Sequence, residues 1–316
     1  MKKTFVRDYF EITNLGFGAW AIGGGSYGNV NKQQAFETLD AYLACGGNLI
    51  DTAQGYAKSE ELIGEYLKEK GLTNKVIIAT KSPAGDTMDT VCQIENDVNT
   101  ALKKLNRDYI DIYYLHSPPE EDEVIEKALD VLEKLKKEGK IRAIGASIKG
   151  VDVTDSVVEL CKKYIDTGKV DVIQLVYSIF RQKTVSILDY AKEHGVAIVG
   201  RTALESGFLT GKFTKDHQFE KDDHRNRWND GKEYIFEQAE ELKNEMLKNN
   251  WDDNLLSLAL RFAIKPTGIT STIVGAKSAE QMQGIVNAFE KGEISNKIER
   301  ILIDKYFALN DKFNTV

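Results

Sequence analysis

The feature that most constrains the fold is a regular alternation of short apolar runs with longer amphipathic segments along 316 residues. The runs are rich in Val and Ile, as strands buried on both faces are, and the longer segments space their apolar residues as helices do. The strand-like runs are 14–18, 48–53, 75–81, 109–116, 141–147, 170–176, 196–202 and 270–276. Eight consecutive βα units predict an α/β chain that closes as one (β/α)8 TIM barrel, a single domain over residues 1–316. A doubly wound open sheet is the alternative, but nothing interrupts the alternation.

Two segments exceed the eight-unit pattern. Residues 204–231 form a long loop after the seventh strand, and loops of this length are usually lids or binding loops. Residues 296–313 predict an extra C-terminal helix. The long loop carries Trp228, which we consider as a residue that closes over a substrate, and a charge run around His217 and His224. Such runs are usually solvated, so we prefer a solvated surface to a zinc site there.

Charge, cysteine spacing and hydropathy exclude several classes of protein. The net charge of −7 argues against a nucleic-acid binder, which needs a cationic face. No stretch approaches the roughly 20 apolar residues of a membrane span, and residues 1–14 lack the apolar core of a signal peptide. The three scattered cysteines, Cys45, Cys92 and Cys161, suggest reduced thiols and a cytoplasmic protein.

Most of the predicted strands end in or reach a polar residue, on what would be the C-terminal rim of the barrel. In chain order these residues are Asp51, Lys81, His116, Ser147, Gln174 and Arg201, with Gly275 and Lys277 after the eighth strand. Any one of them is more often an ordinary strand end than a functional group, since polar groups must leave a core somewhere. Together they predict a site, because barrel enzymes place their chemistry on this rim.

The side chains of this set suggest proton transfer to a carbonyl group. A buried Lys81 needs a counter-ion, and Asp51 lies on the neighbouring strand. A lysine ammonium beside the hydroxyl of Tyr56 would make that tyrosine a better proton donor. His116 can donate a hydrogen bond to a polarised carbonyl oxygen. The sequence offers neither an activated nucleophile nor a cluster of metal ligands. A group that protonates a carbonyl oxygen without a nucleophile implies an external hydride donor, and a nicotinamide cofactor is the usual one.

At this point the sequence resembles the aldo-keto reductases, from "LGFGAW" (15–20) to "GAKSAEQ" (275–281). The motifs that carry the resemblance are "IDTAQGY" (50–56), "IATK" (78–81), "YYLHSP" (113–118), "IGAS" (144–147), "QLVYSIFRQ" (174–182) and "SGFLTGKF" (206–213). The resemblance implies that Tyr56 is the general acid, that Lys81 tunes it, that Asp51 pairs with Lys81 and that His116 orients the carbonyl. The substrate would then meet Trp20, Tyr56 and His116.

The same resemblance implies a cofactor lying extended across the barrel mouth. Its nicotinamide end would meet Gly18, Ala19, Trp20, Asp51, Ser147, Gln174 and Arg201. Leu204, Gly207, Leu209 and Lys212 match the segment that covers the pyrophosphate, and Gly275, Lys277 and Gln281 match the adenosine end. NADP (as NADPH) is the expected cofactor, and NAD is the alternative.

The sequence departs from the usual family pattern in three places, the last of which covers two residues. Ile148 follows Ser147 where many members have Asn, which removes one carboxamide contact. Gln281 takes a place often held by an arginine that pairs with the 2′-phosphate, and glutamine cannot bind phosphate bidentately. Gly284 and Ile285 replace the usual Glu-Asn pair near the adenine. NAD use therefore stays open beside NADP.

The predicted function is NAD(P)H-dependent reduction of aldehydes or ketones to alcohols, a reversible reaction on a small-molecule carbonyl substrate. A nicotinamide-sensing subunit without catalysis is the first alternative. A barrel hydrolase with two carboxylates is the second, but only Asp51 lies at a strand end. Loops 23–30, 82–87, 117–122 and 204–231 would select the substrate, whose identity stays open, as does the choice between monomer and homo-oligomer.

Overall fold

The computed structural model describes residues 1–83, 85–148, 154–221, 223–227, 229–251 and 253–309. In these residues the strands are β1 (Lys3–Val6), β2 (Phe10–Thr13), β3 (Leu15–Gly18), β4 (Leu49–Asp51), β5 (Ile77–Lys81), β6 (Ile110–His116), β7 (Ile141–Ser147), β8 (Val172–Val176), β9 (Ala197–Arg201) and β10 (Ile269–Val274). The helices are α1 (Lys32–Ala44), α2 (Ser59–Glu69), α3 (Met88–Leu105), α4 (Asp122–Lys137), α5 (Asp155–Asp166), α6 (Leu188–Glu193), α7 (Asn229–Lys248), α8 (Leu255–Ile264), α9 (Ala279–Glu290) and α10 (Asn296–Tyr306).

Strands β3 to β10 form a closed barrel in which every neighbouring pair is parallel. The barrel closes where β10 pairs with β3, with Thr272 opposite Leu15 and Val274 opposite Phe17. The predicted (β/α)8 barrel is confirmed, and the open-sheet alternative is wrong. In a closed barrel all eight carboxyl ends meet around one mouth, so the order of the strands fixes which rim residues are neighbours.

The helices around the barrel follow their sequence patterns closely. In α4 the first turn is acidic and the last turn is basic, as the helix dipole favours, and the apolar face from Ile125 to Leu135 is buried. Helix α1 begins with a capping box in which the side chain of Asn31 accepts from the backbone of Gln34 and the side chain of Gln34 reaches back. Among the described residues, no helix is both long and apolar enough to cross a membrane.

The first 13 residues form an antiparallel hairpin, β1 with β2, that the sequence patterns did not predict. Its Val6, Phe10 and Ile12 pack in one cluster with barrel residues such as Val172 and Val199. Three of the four side chains of β1 are exposed, so the strand shows little hydrophobic alternation. The hairpin gains its apolar contacts from the barrel, and a local sequence pattern cannot show such contacts.

The segment predicted as a long loop, 204–231, is more ordered than expected. Short 3-10 helices span Glu205–Thr210 and His224–Arg227, and α7 already begins at Asn229. The extra C-terminal helix is confirmed as α10, followed by a 3-10 turn at Phe307–Leu309. The last part of that prediction, 310–313, lies outside the described residues.

Candidate active site

The strand register brings the predicted rim residues together at one end of the barrel. Asp51 pairs with Gly18 on one side and with Ala79, two residues before Lys81, on the other. His116 stands directly opposite Ser147, and Ser147 directly opposite Gln174. Arg201 pairs with Val176, two residues after Gln174. Because the strands run parallel and pair in this register, these side chains lie around a single mouth of the barrel.

Lys81 and Asp51 form a buried ion pair, with side chains 0% and 1% exposed. The Lys81 Nζ donates to Asp51 Oδ1 over 2.5 Å and to the carbonyl oxygen of Thr52 over 2.9 Å. Gln174 Nε2 donates to the other oxygen, Asp51 Oδ2, over 2.8 Å, and Ser147 Oγ donates to Gln174 Oε1 over 3.2 Å. Buried charges are tolerated when they are paired and hydrogen-bonded, so this network holds an ammonium ion in an otherwise apolar barrel.

Tyr56 lies over that ammonium, in the turn between β4 and α2. The Lys81 Nζ is 5.0 Å from the centre of the Tyr56 ring. The Tyr56 ring stacks on Trp20 at 5.8 Å and meets the ring of His116 edge-on at 6.1 Å between centroids. The four predicted residues Asp51, Tyr56, Lys81 and His116 thus occupy one cleft, with Trp20 as its wall.

The ring of His116 is held in its neutral form. Burial, and then the positive charges of Lys81 and Arg201, lower the pKa of His116 from 6.5 to about 3. Its backbone N–H donates to Ser82 Oγ over 3.1 Å, while its Nδ1 is buried with no partner among the described residues. A neutral imidazole carries one N–H donor and one acceptor, so His116 can donate one hydrogen bond without adding charge to the cleft.

The segment after β9 has an unusual backbone conformation. Ser206 and Gly207 adopt left-handed conformations, with φ of 53° and 95°, inside the 3-10 turn Glu205–Thr210. Glycine tolerates such values at no steric cost, which suits Gly207. Leu204 and Leu209 are buried beneath the turn, and Lys212 is exposed beyond it. Arg201 Nη2 donates to the carbonyl oxygen of Ile148 over 3.1 Å, which connects β9 to the end of β7.

Lys277, after β10, reaches across the mouth to the loop after β3. Its Nζ donates to the carbonyl oxygen of Tyr27 over 2.7 Å. Gln281 Oε1 accepts from the backbone N–H of Lys277 over 3.0 Å, and the Gln281 N–H donates to the N-cap Ser278 over 3.2 Å. Gly275 lies against the carbonyl of Gly18, where a β-carbon would come within 3.3 Å of that oxygen. Lys277 and Gln281 therefore form one corner of the mouth.

Two site residues escaped the sequence patterns: Ser26 and His224. Trp20 Nε1 donates to Ser26 Oγ over 2.9 Å, and the backbone N–H of His224 donates to the carbonyl oxygen of Ser26 over 3.0 Å. The His224 ring lies 4.7 Å from that of Trp20 and 4.4 Å from that of Tyr27. The expectation of a solvated charge run is wrong here, since His224 packs on the cleft wall. Phe213 and Phe219, two aromatic residues shortly before it in the sequence, were the available indication that this segment packs against the protein.

Arg225 is buried at the centre of the same segment. It forms a bidentate pair with Asp223 at 2.8 and 2.5 Å, and its guanidinium lies 4.1 Å from the centre of the Phe219 ring. Burial alone would raise the pKa of Asp223, but hydrogen bonds from Arg225 outweigh it and lower the pKa. Arg225 also lies 5.0 Å from the ring of Tyr27, whose pKa burial raises to about 12. Trp228, considered as a lid residue, lies outside the described residues.

The described residues contain no group of three His, Cys, Asp or Glu side chains that could hold a metal ion. The cleft instead combines a buried cation, a tyrosine hydroxyl and a neutral histidine at the mouth of a closed parallel barrel. These are the groups that would bind and protonate a carbonyl oxygen.

The fold and this site define a barrel oxidoreductase, and the family comparison agrees. The family model "Aldo/keto reductase family" matches residues 14–301, so the chain belongs to that family. It is 30% identical to the aldo-keto reductase YhdN of Bacillus subtilis, over 96% of each chain. It is 31% identical to the NADH-specific methylglyoxal reductase of Escherichia coli, over 88% of this chain and 90% of that one.

Solved structures of the family superpose over nearly the whole chain. The aldo-keto reductase AKR11C1 of Bacillus halodurans, in its holo form, matches with a TM-score of 0.77 and 25% identity, over 97% of this chain and 96% of that one. The glycerol dehydrogenase AKR11B4 of Gluconobacter oxydans matches with a TM-score of 0.74 and 27% identity, over 95% and 92%. The family uses nicotinamide cofactors and acts on small molecules.

Proposed function

We propose that this protein reduces aldehyde or ketone carbonyls to alcohols, reversibly, with NADPH or NADH as the hydride donor. The observation that carries the proposal is the buried Lys81 ammonium, fixed by Asp51 and lying 5.0 Å from the centre of the Tyr56 ring. A fixed cation there favours the developing phenolate, so Tyr56 can release its proton to a carbonyl oxygen. Asp51 pairs with Lys81 and keeps it in place.

His116 is proposed to orient the carbonyl. Its neutral ring supplies one N–H donor next to Tyr56, with the ring centroids 6.1 Å apart. Two donors that converge on one oxygen stabilise the negative charge that develops there. Trp20 stacks on Tyr56 and would shield the reacting carbonyl from water on that side. A neutral His116 also avoids placing a further positive charge next to Lys81 and Arg201.

A nicotinamide bound across the mouth would supply the hydride. The residues proposed to hold its nicotinamide end are Gly18, Ala19, Trp20, Asp51, Ser147, Gln174 and Arg201. The pyrophosphate would meet Leu204, Gly207, Leu209 and Lys212, and the adenosine would meet Gly275, Lys277 and Gln281. The donor set fits such a group, because Gln174 and Ser147 present amide and hydroxyl groups at the rim beside Asp51. The left-handed backbone at Gly207 allows close approach of a ligand.

The test of this proposal is the Tyr56→Phe variant, which keeps the ring contacts and removes only the hydroxyl group that would donate the proton. We expect kcat to fall about 10²- to 10⁴-fold, the usual contribution of a general acid. Reduced-nicotinamide absorbance would be followed with short aldehydes, dicarbonyls, sugars and ketones. Methylglyoxal belongs in the panel because one relative is named for it. Glycerol, for which another is named, is an alcohol and would be tested in the reverse direction with the oxidised cofactor.

Three outcomes decide between the functions considered. Turnover by wild-type protein that the Phe variant lacks supports the reductase. Equal turnover by both proteins would refute the role of Tyr56. Tight cofactor binding with no turnover on any compound would favour a nicotinamide-sensing subunit.

We propose NADP as the preferred cofactor, with NAD as the alternative. The support is Lys277, a cation at the corner proposed for the adenosine, where its Nζ already reaches the carbonyl of Tyr27. The neutral Gln281 beside it lacks the bidentate grip of an arginine on a phosphate, and one relative is named as NADH-specific. Titration with NADPH and with NADH, followed by fluorescence, settles the preference, and tighter NADH binding would overturn it.

We also propose a cytoplasmic location, because three free cysteines suit a reducing compartment. Cys92 is exposed and would be open to oxidation outside such a compartment. Fractionation of cells that express the protein, followed by immunoblotting, tests this, and recovery from a membrane or extracellular fraction would contradict it.

A further inference from the structure

We infer that Ser59 is a positioning residue for the proposed reaction, because its hydroxyl and its backbone N–H tie together the three chain segments that carry Asp51, Trp20 and Tyr56. Ser59 is the first residue of α2 and is fully buried. It does not touch the cleft groups through its side chain, so its role would be to hold their backbones. The inference rests on the proposed function and adds to it a residue outside the four that carry the chemistry.

The Ser59 hydroxyl links the end of β4 to the loop after β3. It accepts from Thr52 Oγ1 over 2.8 Å and donates to the carbonyl oxygen of Ala19 over 3.2 Å. Thr52 directly follows Asp51, and its own carbonyl accepts from Lys81 Nζ. Ala19 directly precedes Trp20. One buried hydroxyl therefore sets the spacing between the strand end that holds the lysine and the loop that carries the cleft wall.

The backbone of Ser59 holds the turn that carries Tyr56. Its N–H donates to the carbonyl oxygen of Tyr56 over 3.0 Å, and the neighbouring Lys58 N–H donates to the carbonyl of Gly23 over 3.1 Å. Gly23 is packed so closely that a β-carbon there would lie 3.1 Å from Ser59 Cβ and would overlap the Tyr56 carbonyl. There is thus no spare volume between Gly23, the turn that carries Tyr56 and the start of α2.

The backbone between these two contacts is strained. Ala57, the residue after Tyr56, has a φ of 47°, a left-handed conformation that costs a non-glycine residue of order 1 kcal/mol or more. Such a conformation persists only where surrounding contacts impose it. Here the contacts are the backbone bonds of Lys58 and Ser59, together with the Ser59 hydroxyl bonds that hold the start of α2 to Thr52 and Ala19. If the hydroxyl bonds are lost, the start of α2 is no longer held there, and the turn can relax at Ala57 and carry the Tyr56 ring away from Lys81.

The test compares Ser59→Ala with Thr38→Ala. Thr38 is also fully buried, and its hydroxyl donates to a backbone carbonyl, that of Gln34, over 2.6 Å, but it lies within α1. Ser59→Ala loses two side-chain hydrogen bonds and Thr38→Ala loses one, so both variants should lose thermal stability, with the larger loss in Ser59→Ala. Only Ser59→Ala should lose kcat, by about 10- to 100-fold, because misplacement of a reacting group by about 1 Å costs that much. The KM for the cofactor should stay within about twofold of the wild-type value.

A merely structural role would lower the melting temperature and leave kcat unchanged, and that result would overturn the inference. A loss of kcat by Thr38→Ala equal to that of Ser59→Ala would overturn it as well. If the Ala variant does not fold, Ser59→Cys keeps the volume and offers only a weak donor, and an intermediate loss of kcat is expected. Unchanged kcat in a folded Cys variant would again count against the inference.

Hydrogen exchange separates failure of this inference from failure of the proposed function. Peptides over 19–25 and 52–58 should exchange faster in Ser59→Ala than in Thr38→Ala, because both lose their common anchor. If wild-type protein reduces no carbonyl compound, the proposed function has failed, and exchange alone decides whether Ser59 anchors the turn. Equal exchange of those peptides in the two variants would refute the anchor whatever the turnover.

Discussion

At the scale of single residues, the site places a neutral histidine beside a buried ion pair. Lys81 pairs with Asp51, and Gln174 donates to the second oxygen of that carboxylate. His116 stays neutral because it is buried near two cations, Lys81 and Arg201. Burial disfavours the charged form of any basic group, and of these two only Lys81 has a carboxylate partner.

The neutral state of His116 predicts how stability depends on pH. The pKa of His116 is about 3 when folded and 6.5 ordinarily, so between these values the unfolded chain binds a proton that the folded chain does not. Stability should therefore fall as pH falls from about 6.5 toward 3, by up to about 1.4 kcal/mol per pH unit from this group. A His116→Gln variant lacks the titrating group.

Urea unfolding of wild type and His116→Gln at pH 7, 6, 5 and 4 measures this effect. The free energy of unfolding of wild type should decline relative to that of the variant at each lower pH. A constant difference across the series would mean that His116 takes up a proton as readily in the folded protein as in the unfolded chain.

At the scale of elements, Arg225 makes several of the contacts that order the segment from Phe213 to Arg227. Arg225 pairs with Asp223, lies within 4.9 Å of the Phe213 ring centre and donates to the carbonyl of Ser206 over 3.2 Å. A planar guanidinium can make these contacts together, whereas a lysine ammonium cannot. The order of this segment, and with it the position of His224 on the cleft wall, should therefore depend on the shape of the arginine as well as on its charge.

Arg225→Lys should loosen this segment while the barrel stays folded. Limited proteolysis should cut within 213–227 several-fold faster in the variant, because local opening becomes easier. Lys221→Ala, an exposed change in the same segment, is the control and should be cut at the wild-type rate. Equal cutting of all three proteins would show that the segment is ordered by other contacts.

The elements that the sequence predicted well are those whose signal is local. Barrel strands such as β9 are apolar runs, and the polar residue at or near the end of most of them correctly indicated the rim. Where the outcome depended on distant contacts, the patterns failed. The hairpin acquires its core from strands over 100 residues away in sequence, and His224 is buried by Trp20 and Tyr27, about 200 residues before it. Ser59 looked like an ordinary first residue of a helix.

At the scale of the whole molecule, the hairpin and the rim that carries the candidate site lie at opposite ends of the barrel. The hairpin side chains Val6, Phe10 and Ile12 pack on residues from the early parts of the strands, such as Leu49 and Val172. Around them, Arg7 pairs with Asp171 at 2.6 Å, and Arg142 Nη2 donates to the carbonyl of Tyr9 over 2.8 Å. The hairpin thus closes the end of the barrel away from the cleft, so its contribution should be to stability.

Ile12→Ala tests this separation between stability and binding. The side chain is fully buried, so the variant should lose about 2–5 kcal/mol of unfolding free energy, while cofactor affinity stays unchanged. Phe5→Ala is the control, because Phe5 is 59% exposed and should cost little. Urea unfolding and cofactor titration measure the two quantities. A matching loss of affinity in folded Ile12→Ala would show that the two ends of the barrel are coupled.

The closure of the barrel also determines when the first residues of the chain can fold. The strand β3 can pair with β4 early, but its second partner, β10, exists only when Thr272 to Val274 are available, and the hairpin packs partly on Ile273. At translation rates of about 5–20 residues per second, these residues follow the opening segment by on the order of 10–50 s. Until then the barrel cannot close, and Val6, Phe10 and Ile12 lack part of their apolar contacts. Because transiently exposed apolar surface promotes aggregation, we expect the nascent chain to aggregate more readily than the folded protein.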